Sequence, residues 1–177
     1  MTETTVRIRA ATPDDAASIA IVHVRSWQVA YRGQLPDELL DNLSVEQRTR
    51  WWAEGFWSKD VAHRRLLVAE ADGSIRGFAV VGPSRDESAT DGRGELYAIY
   101  ADPDVWGQGM GRLLMERAVD ELRSADFAEA TLWVLETNER ARRFYAVAGW
   151  QPDGARRVER LREGGVEAVE VRYRRDL

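Results

Sequence analysis

Three stretches of the chain carry residue types at spacings that could do chemistry. In "DPDVWGQGMGRLLMERAV", residues 102–119, Gly107, Gly109 and Gly111 alternate directly before an apolar helical run. Glycine in a helix costs roughly 1 kcal/mol relative to alanine, so bare backbone must serve a purpose where that helix begins. A glycine-rich turn after a strand exposes backbone N–H groups, and the helix start adds partial positive charge; together they suit a phosphate. Arg112 adds a charge at the rim. A tight strand–helix turn with glycines for close packing is the alternative to that reading. In "TNERARRFYAVAG", Asn138 and Tyr145 stand seven residues apart, about two helical turns, so both can face one side. Packing alone would make Tyr145 a core aromatic beside Phe144 and Asn138 an N-cap. In "GELYAIY", Glu95 is a carboxylate at the head of a strand, able to accept a proton or simply to face solvent.

The glycine turn fails two specific tests. A dinucleotide fingerprint needs G-x-G-x-x-G; Gly107 and Gly109 supply the first two glycines, but Arg112 holds the third position. A triphosphate loop needs Gly-Lys-Ser/Thr, which the sequence lacks.

The elements that must position these residues follow from periodicity. "VRIRAAT" alternates as a strand with Val6 and Ile8 on one face. "TPDD" starts a helix, with Thr12 as N-cap, Pro13 at the first helical position and Asp15 closing a capping-box-like pair. Ile19 and Val22 continue at helical spacing to about Val29. A loop with one helical turn follows, and Ser44 caps a second helix running to about Trp57. "RLLVAEADGSIRGFAVVGP" is a hairpin around Asp72-Gly73. "GELYAIYADP" is a strand stopped by Pro103, and the glycine turn opens a helix carrying Leu113, Leu114, Ala118 and Leu122 on or near one face. "ATLWVLE" is a strand, the Asn138 segment a helix closed by Gly149, and a last hairpin turns at Gly164-Gly165. The order β-α-α-β-β-β-α-β-α-β-β, with hairpins beside β-α-β units, predicts an α/β fold on a mixed sheet.

Composition narrows the classes. At 177 residues the chain suits a single domain spanning 1–177. With no cysteine, disulfides, thiolate metal sites and a cysteine nucleophile are excluded, and His23 and His63 show no ligand spacing, so no metal is expected. A net charge of −5 argues against a nucleic-acid partner and mildly favours a cationic small substrate. No apolar run reaches the roughly 18 residues of a membrane span, and the polar start lacks a signal-peptide core; a cytoplasmic protein without a membrane partner is expected.

"VWGQGMGRLLM" after "ELYAIYADP" resembles the acetyl-CoA-binding motif of GCN5-related N-acetyltransferases (GNAT), Arg/Gln-x-x-Gly-x-Gly/Ala. Gly109 and Gly111 take its two small positions, while Trp106 stands where the family has Arg or Gln. "TLWVLETNERARRFYAVAGWQPDG" resembles the family's next segment, and the order of elements fits from Val6 to Tyr173. The resemblance implies a mainly antiparallel central sheet flanked by helices, with acetyl-CoA as co-substrate and no metal.

It also assigns roles. Backbone from Gly107, Gln108, Gly109, Met110, Gly111 and Arg112 would hold the CoA pyrophosphate, and Ile99, Tyr100 and Ala101 would pair with the pantetheine amides as an added strand does. Asn138 would contact the pantetheine or phosphate arm. The Tyr145 hydroxyl would lie near the sulfur and protonate the leaving thiolate. Glu95, directly or through water, would take the amine's proton. With a lysine-like pKa of about 10.4, only about one amine in a thousand is free base near pH 7. The first two helices would wall the acceptor site: Trp27 and Tyr31 above all, with His23, Asp37 and Glu38 near, and Trp51, Trp52, Phe56 and Trp57 either there, in the core or in a homodimer contact. The expected activity is acetyl transfer to a primary amine of a small molecule by direct attack in a ternary complex. An N-terminal peptide acetyltransferase and a non-catalytic acyl-CoA-binding regulatory domain are the alternatives.

Overall fold

The structure, a computed structural model, describes residues 5–161 and 164–177; the first four residues of the polar start fall outside them. The elements run β1 (Arg7–Ala10), α1 (Ala16–Ala30), α2 (Asp37–Asp41), α3 (Val45–Arg50), β2 (Arg65–Ala71), β3 (Ser74–Pro83), β4 (Arg93–Ala101), α4 (Met110–Ser124), β5 (Glu129–Leu135), α5 (Glu139–Val147), β6 (Gln151–Arg160) and β7 (Glu167–Asp176). The helical turn expected between the first two helices is α2, and a wider π-type turn at Trp51–Gly55 extends α3.

Local chemistry sets the boundaries. The Asp15 carboxylate accepts from the Thr12 N–H at 2.8 Å and, with Pro13, starts a short 3-10 turn leading into α1. Ser44 Oγ accepts from the Gln47 N–H at 3.2 Å and caps α3. Asp72 and Gly73 have φ of 51° and 73°, the left-handed pair that a two-residue hairpin turn requires. Gly149, with φ of 88°, closes α5 as Trp150 N–H bonds the Tyr145 carbonyl at 3.0 Å.

One seven-stranded sheet runs β1-β2-β3-β4-β5-β7-β6. Every neighbouring pair is antiparallel except β4 and β5, which α4 joins by a crossover. Helices cover both faces. On one, α4 packs Leu114, Met115, Ala118, Val119 and Leu122 onto Leu67, Ala79, Leu132 and Tyr173. On the other, α1 and the π-type turn place Ile19, Val22, Trp52 and Phe56 on Leu66, Val68, Phe78 and Val80. Successive β2 residues serve opposite cores, so that strand reads as an unbroken apolar run rather than an alternation. Among the described residues no helix is long and apolar enough to cross a membrane.

Candidate active site

The sheet opens at its parallel pair. β4 and β5 are paired only where Arg93, Gly94 and Glu95 face Glu129, Ala130 and Thr131. Beyond that point β4 continues to Ala101 and β5 to Leu135 without pairing to each other. Opposite the gap, β3 registers Val80 with Ala98 but Val81 with Leu96, so Tyr97 is the extra residue of a bulge that bends β4. Backbone facing such a gap lacks partners, which suits an extended ligand that pairs as a strand. A cavity of about 420 Å³ fills the opening, with Leu96–Ala101 on one side and Trp133–Leu135 on the other. That volume lies within the ordinary range of small-molecule sites.

The glycine turn forms one end of this cavity. Gly107 and Gly109 adopt φ of 76° and 86°, and a Cβ added at either would meet nothing within 4 Å. Leu113 is the first amide bonded back, to the Gly109 carbonyl at 3.1 Å; those of Gly109, Met110, Gly111 and Arg112 have no backbone acceptor among the described residues. Open space over unpaired N–H groups at a helix start fits a phosphate. At Gly111 a Cβ would stand 3.4 Å from the Phe144 ring, an ordinary contact, so packing does not demand glycine at this position. Gln108 and Met110 do not line the cavity: the exposed Gln108 bonds the Asp104 carbonyl through Nε2 at 3.0 Å, and the Met110 side chain is buried in the core.

Trp106, the departure from the family motif, is anchored by its Nε1–H donating to the Ala101 carbonyl at 2.8 Å. Its ring carries the Arg140 guanidinium, 3.4 Å from the ring centroid. Arg140 has no carboxylate partner among the described residues, and burial lowers its pKa. It lines the cavity with Arg112, so two cations border the cradle. Arg112 is exposed and also reaches Glu116 at 3.2 Å.

Asn138 and Tyr145 are brought together with the strands, as their spacing required. Asn138 Oδ1 accepts from the Ala141 N–H at 3.1 Å, so Asn138 is the N-cap of α5; it is also part of the cavity wall, and its amide nitrogen has no acceptor among the described residues. Tyr145 lies two turns on, also on the wall. Burial, and secondarily Tyr100, raise its pKa, so the phenol stays protonated at neutral pH.

Across the gap, α1 supplies the opposite wall. The Tyr31 hydroxyl meets that of Tyr100 at 3.0 Å, and both side chains border the cavity. Burial raises both phenols' pKa values. Ile99, Tyr100 and Ala101 line the opening as expected of the cofactor-facing strand. Trp27 is not on the wall: its indole packs edge-on against Tyr31, centroids 5.0 Å apart, and supports that ring from behind. His23 is buried beneath Tyr100, stacked at 5.4 Å, and its Nδ1 accepts from Trp52 Nε1–H at 3.3 Å. Burial drives its pKa down to about 3, so it is a neutral packing group. Trp52 and Phe56 belong to the core, Trp51 and Trp57 are partly exposed, and Asp37 and Glu38 lie on the surface, away from the cavity.

Glu95 departs from its expected position. It is 1% exposed and does not line the cavity. Its Oε1 accepts from Arg85 Nη2 at 2.6 Å and its Oε2 from the Arg85 backbone N–H at 2.7 Å. The reason is its register: it lies where β4 is still paired on both sides, before the strands part. Among the lining residues not anticipated from the sequence are Arg140, Trp133 and Glu170. Arg140 stands two residues after Asn138 on a helix whose exposed face reads as ordinary charge. Glu170 alternates with Val169 and Val171 as a polar-face residue would, and nothing in β7 itself tells what covers that face.

A mixed sheet parted at its one parallel pair, with an anion cradle at the head of the crossover helix, defines an acyltransferase of the GNAT type. The model of the acetyltransferase (GNAT) family matches residues 24–150, and the chain belongs to that family. It is 34% identical over 134 residues to the uncharacterized N-acetyltransferase YuaI of Bacillus subtilis, covering 75% of this chain and 73% of that one. It is 30% identical over 156 residues to the probable N-acetyltransferase Rv2775 of Mycobacterium tuberculosis, covering 87% and 84%. Among solved structures, the fold matches the PaiA N-acetyltransferase of Thermoplasma acidophilum in complex with coenzyme A. The TM-score is 0.69 at 20% identity, covering 98% of this chain and 99% of that one.

Proposed function

We propose that the protein transfers an acetyl group from acetyl-CoA to the primary amine of a small molecule by direct attack in a ternary complex. The observation that carries this reading is the parted β4/β5 pair, with unpaired amides at one end and the Tyr145 phenol on its wall. The amides of Gly109, Met110, Gly111 and Arg112 would hold the pyrophosphate, and Arg140 on its Trp106 platform would supply the side-chain N–H donor that the motif's usual Arg or Gln would bring. Ile99–Ala101 and Asn138 would align the pantetheine arm. Tyr145 is a neutral donor facing the gap and protonates the departing sulfur. Bound CoA in the PaiA neighbour and acetyl-CoA in the Salmonella typhimurium YncA neighbour support the co-substrate.

The test is thiol release from acetyl-CoA against free amines, amino acids, aminoglycosides and short peptides. Free amines are expected to be the acceptors, and Tyr145→Phe should lower kcat about 10²- to 10⁴-fold while leaving CoA affinity within twofold. Tight binding of acetyl-CoA without release across the panel would mark a regulatory domain instead. Activity confined to peptides would mark an N-terminal acetyltransferase.

A further inference from the structure

The cavity is electrically asymmetric. Its charged lining residues are Arg112 and Arg140 at the glycine turn and a single carboxylate, Glu170, from β7. Side chains of β7 alternate: Val171 and Tyr173 pack on the α4/α5 side, whereas Ala168 packs with Leu35, Leu40 and Leu135 beneath α1 and α2. Glu170 shares the Ala168 face, so it stands with Tyr31 on the side of the gap opposite Tyr145. Arg157 of β6 fixes it, with Nε at 2.8 Å and Nη2 at 2.7 Å, both from Oε2. Oε1 has no hydrogen-bond partner among the described residues. Arg157 also lies over the Trp133 ring at 4.3 Å, and Trp133 lines the cavity beside the carboxylate.

We propose that Glu170 is the acceptor-side carboxylate of this enzyme: its free oxygen binds the substrate's ammonium group and takes the proton that must leave before attack. This rests on the acetyl-transfer reading above. The surrounding wall, Tyr31, Tyr97, Tyr100 and Trp133, is aromatic, so the amine it fits is carried on an apolar, aryl-sized group. In the step itself, Glu170 accepts the ammonium proton. The freed nitrogen lone pair bonds to the acyl carbon as the carbon–sulfur bond breaks, and the sulfur takes its proton from the Tyr145 hydroxyl; the second proton, which the acylated nitrogen sheds to become the amide, restores that hydroxyl, and Glu170 returns its proton to solvent.

The electrostatics suit a base. Burial raises the Glu170 pKa above the ordinary glutamate value, and Arg157 opposes that rise. The other groups that bear on it are Glu159 of β6 and Arg85 of the β3–β4 loop, while Glu170 in turn bears on Tyr31 of α1 and Tyr100 of β4. A raised carboxyl is a stronger proton acceptor than an ordinary one.

The experiment compares wild type with Glu170→Gln, which keeps an oxygen for Arg157. Binding of 2-phenylethylamine and of its uncharged counterpart 2-phenylethanol is measured by calorimetry with CoA present, alongside thiol release from acetyl-CoA. Wild type should prefer the amine at least tenfold, and Glu170→Gln should abolish that preference while its melting temperature and CoA affinity hold. With turnover, kcat/KM for the amine should fall about 100-fold or more, and the acid limb of its pH profile should vanish. If wild type prefers the amine through Glu170 but releases no thiol, the acetyl-transfer reading fails and the ammonium site stands. Equal binding of amine and alcohol by wild type, or an unchanged preference in Glu170→Gln, overturns the proposal.

Discussion

The two walls of the cleft are built by different means. The wall around the glycine turn is backbone: amides of residues 109–112, aimed by one contiguous stretch and flanked by Arg112 and Arg140. The opposite wall is side chains drawn from distant segments, with Tyr31 from α1, Tyr100 from β4, Trp133 from β5 and Glu170 from β7. Backbone recognition needs space and conformation, so glycine at fixed spacing announces it. Side-chain recognition needs chain segments to meet, and nothing local announces that.

The comparison can be broken by substitutions on each wall. Gly109→Val should have the largest effect. Its φ of 86° is costly for a β-branched residue, and the added side chain would enter the open space above the amides. CoA affinity measured by calorimetry is expected to fall about 100-fold, the equivalent of one or two charge-assisted bonds lost at ~1.5–3 kcal/mol each. Unchanged affinity would show that the turn is packing only. Arg140→Gln comes next: an approximately tenfold loss of CoA affinity that shrinks with added salt, at one charged contact of ~1.5 kcal/mol. A salt-independent loss would assign Arg140 to helix packing instead.

A further effect lies behind the aromatic wall and is on stability alone. His23 is held neutral with its pKa lowered to about 3 from 6.5, so between those values the unfolded chain binds a proton that the folded chain does not. Its contribution is intact above pH 6.5 and is lost as pH falls, at about 1.4 kcal/mol per pH unit. Denaturant unfolding of His23→Gln between pH 4 and 7 should show a shallower pH dependence than wild type, from a lower starting stability. An identical slope would mean that His23 is not what sets it.

Legibility followed the same division. Strands, helices and turns at Asp72-Gly73, Gly149 and Gly164-Gly165 were readable because each depends on local periodicity or on a left-handed backbone that glycine favours. Asn138 and Tyr145 were readable because helical spacing puts them on one side of α5. Glu95 could be assigned to a strand but not to a depth, and its pairing with Arg85, ten residues upstream, depends on how β3 and β4 register. Trp27 and Tyr31 are one helical turn apart, yet Tyr31 borders the cavity and Trp27 props it from behind.

By itself the sequence determined the element order, the glycine turn and the side of α5 that faces the cavity. Each of these is encoded within a dozen or so neighbouring residues by propensity, period and the conformational freedom of glycine. The tertiary structure alone decided where β4 and β5 part, which carboxylate reaches the cavity, and that a polar-face residue of β7 looks into an aromatic cleft. Those facts depend on strand register and on which helix covers which face, quantities fixed by contacts between segments far apart in the chain.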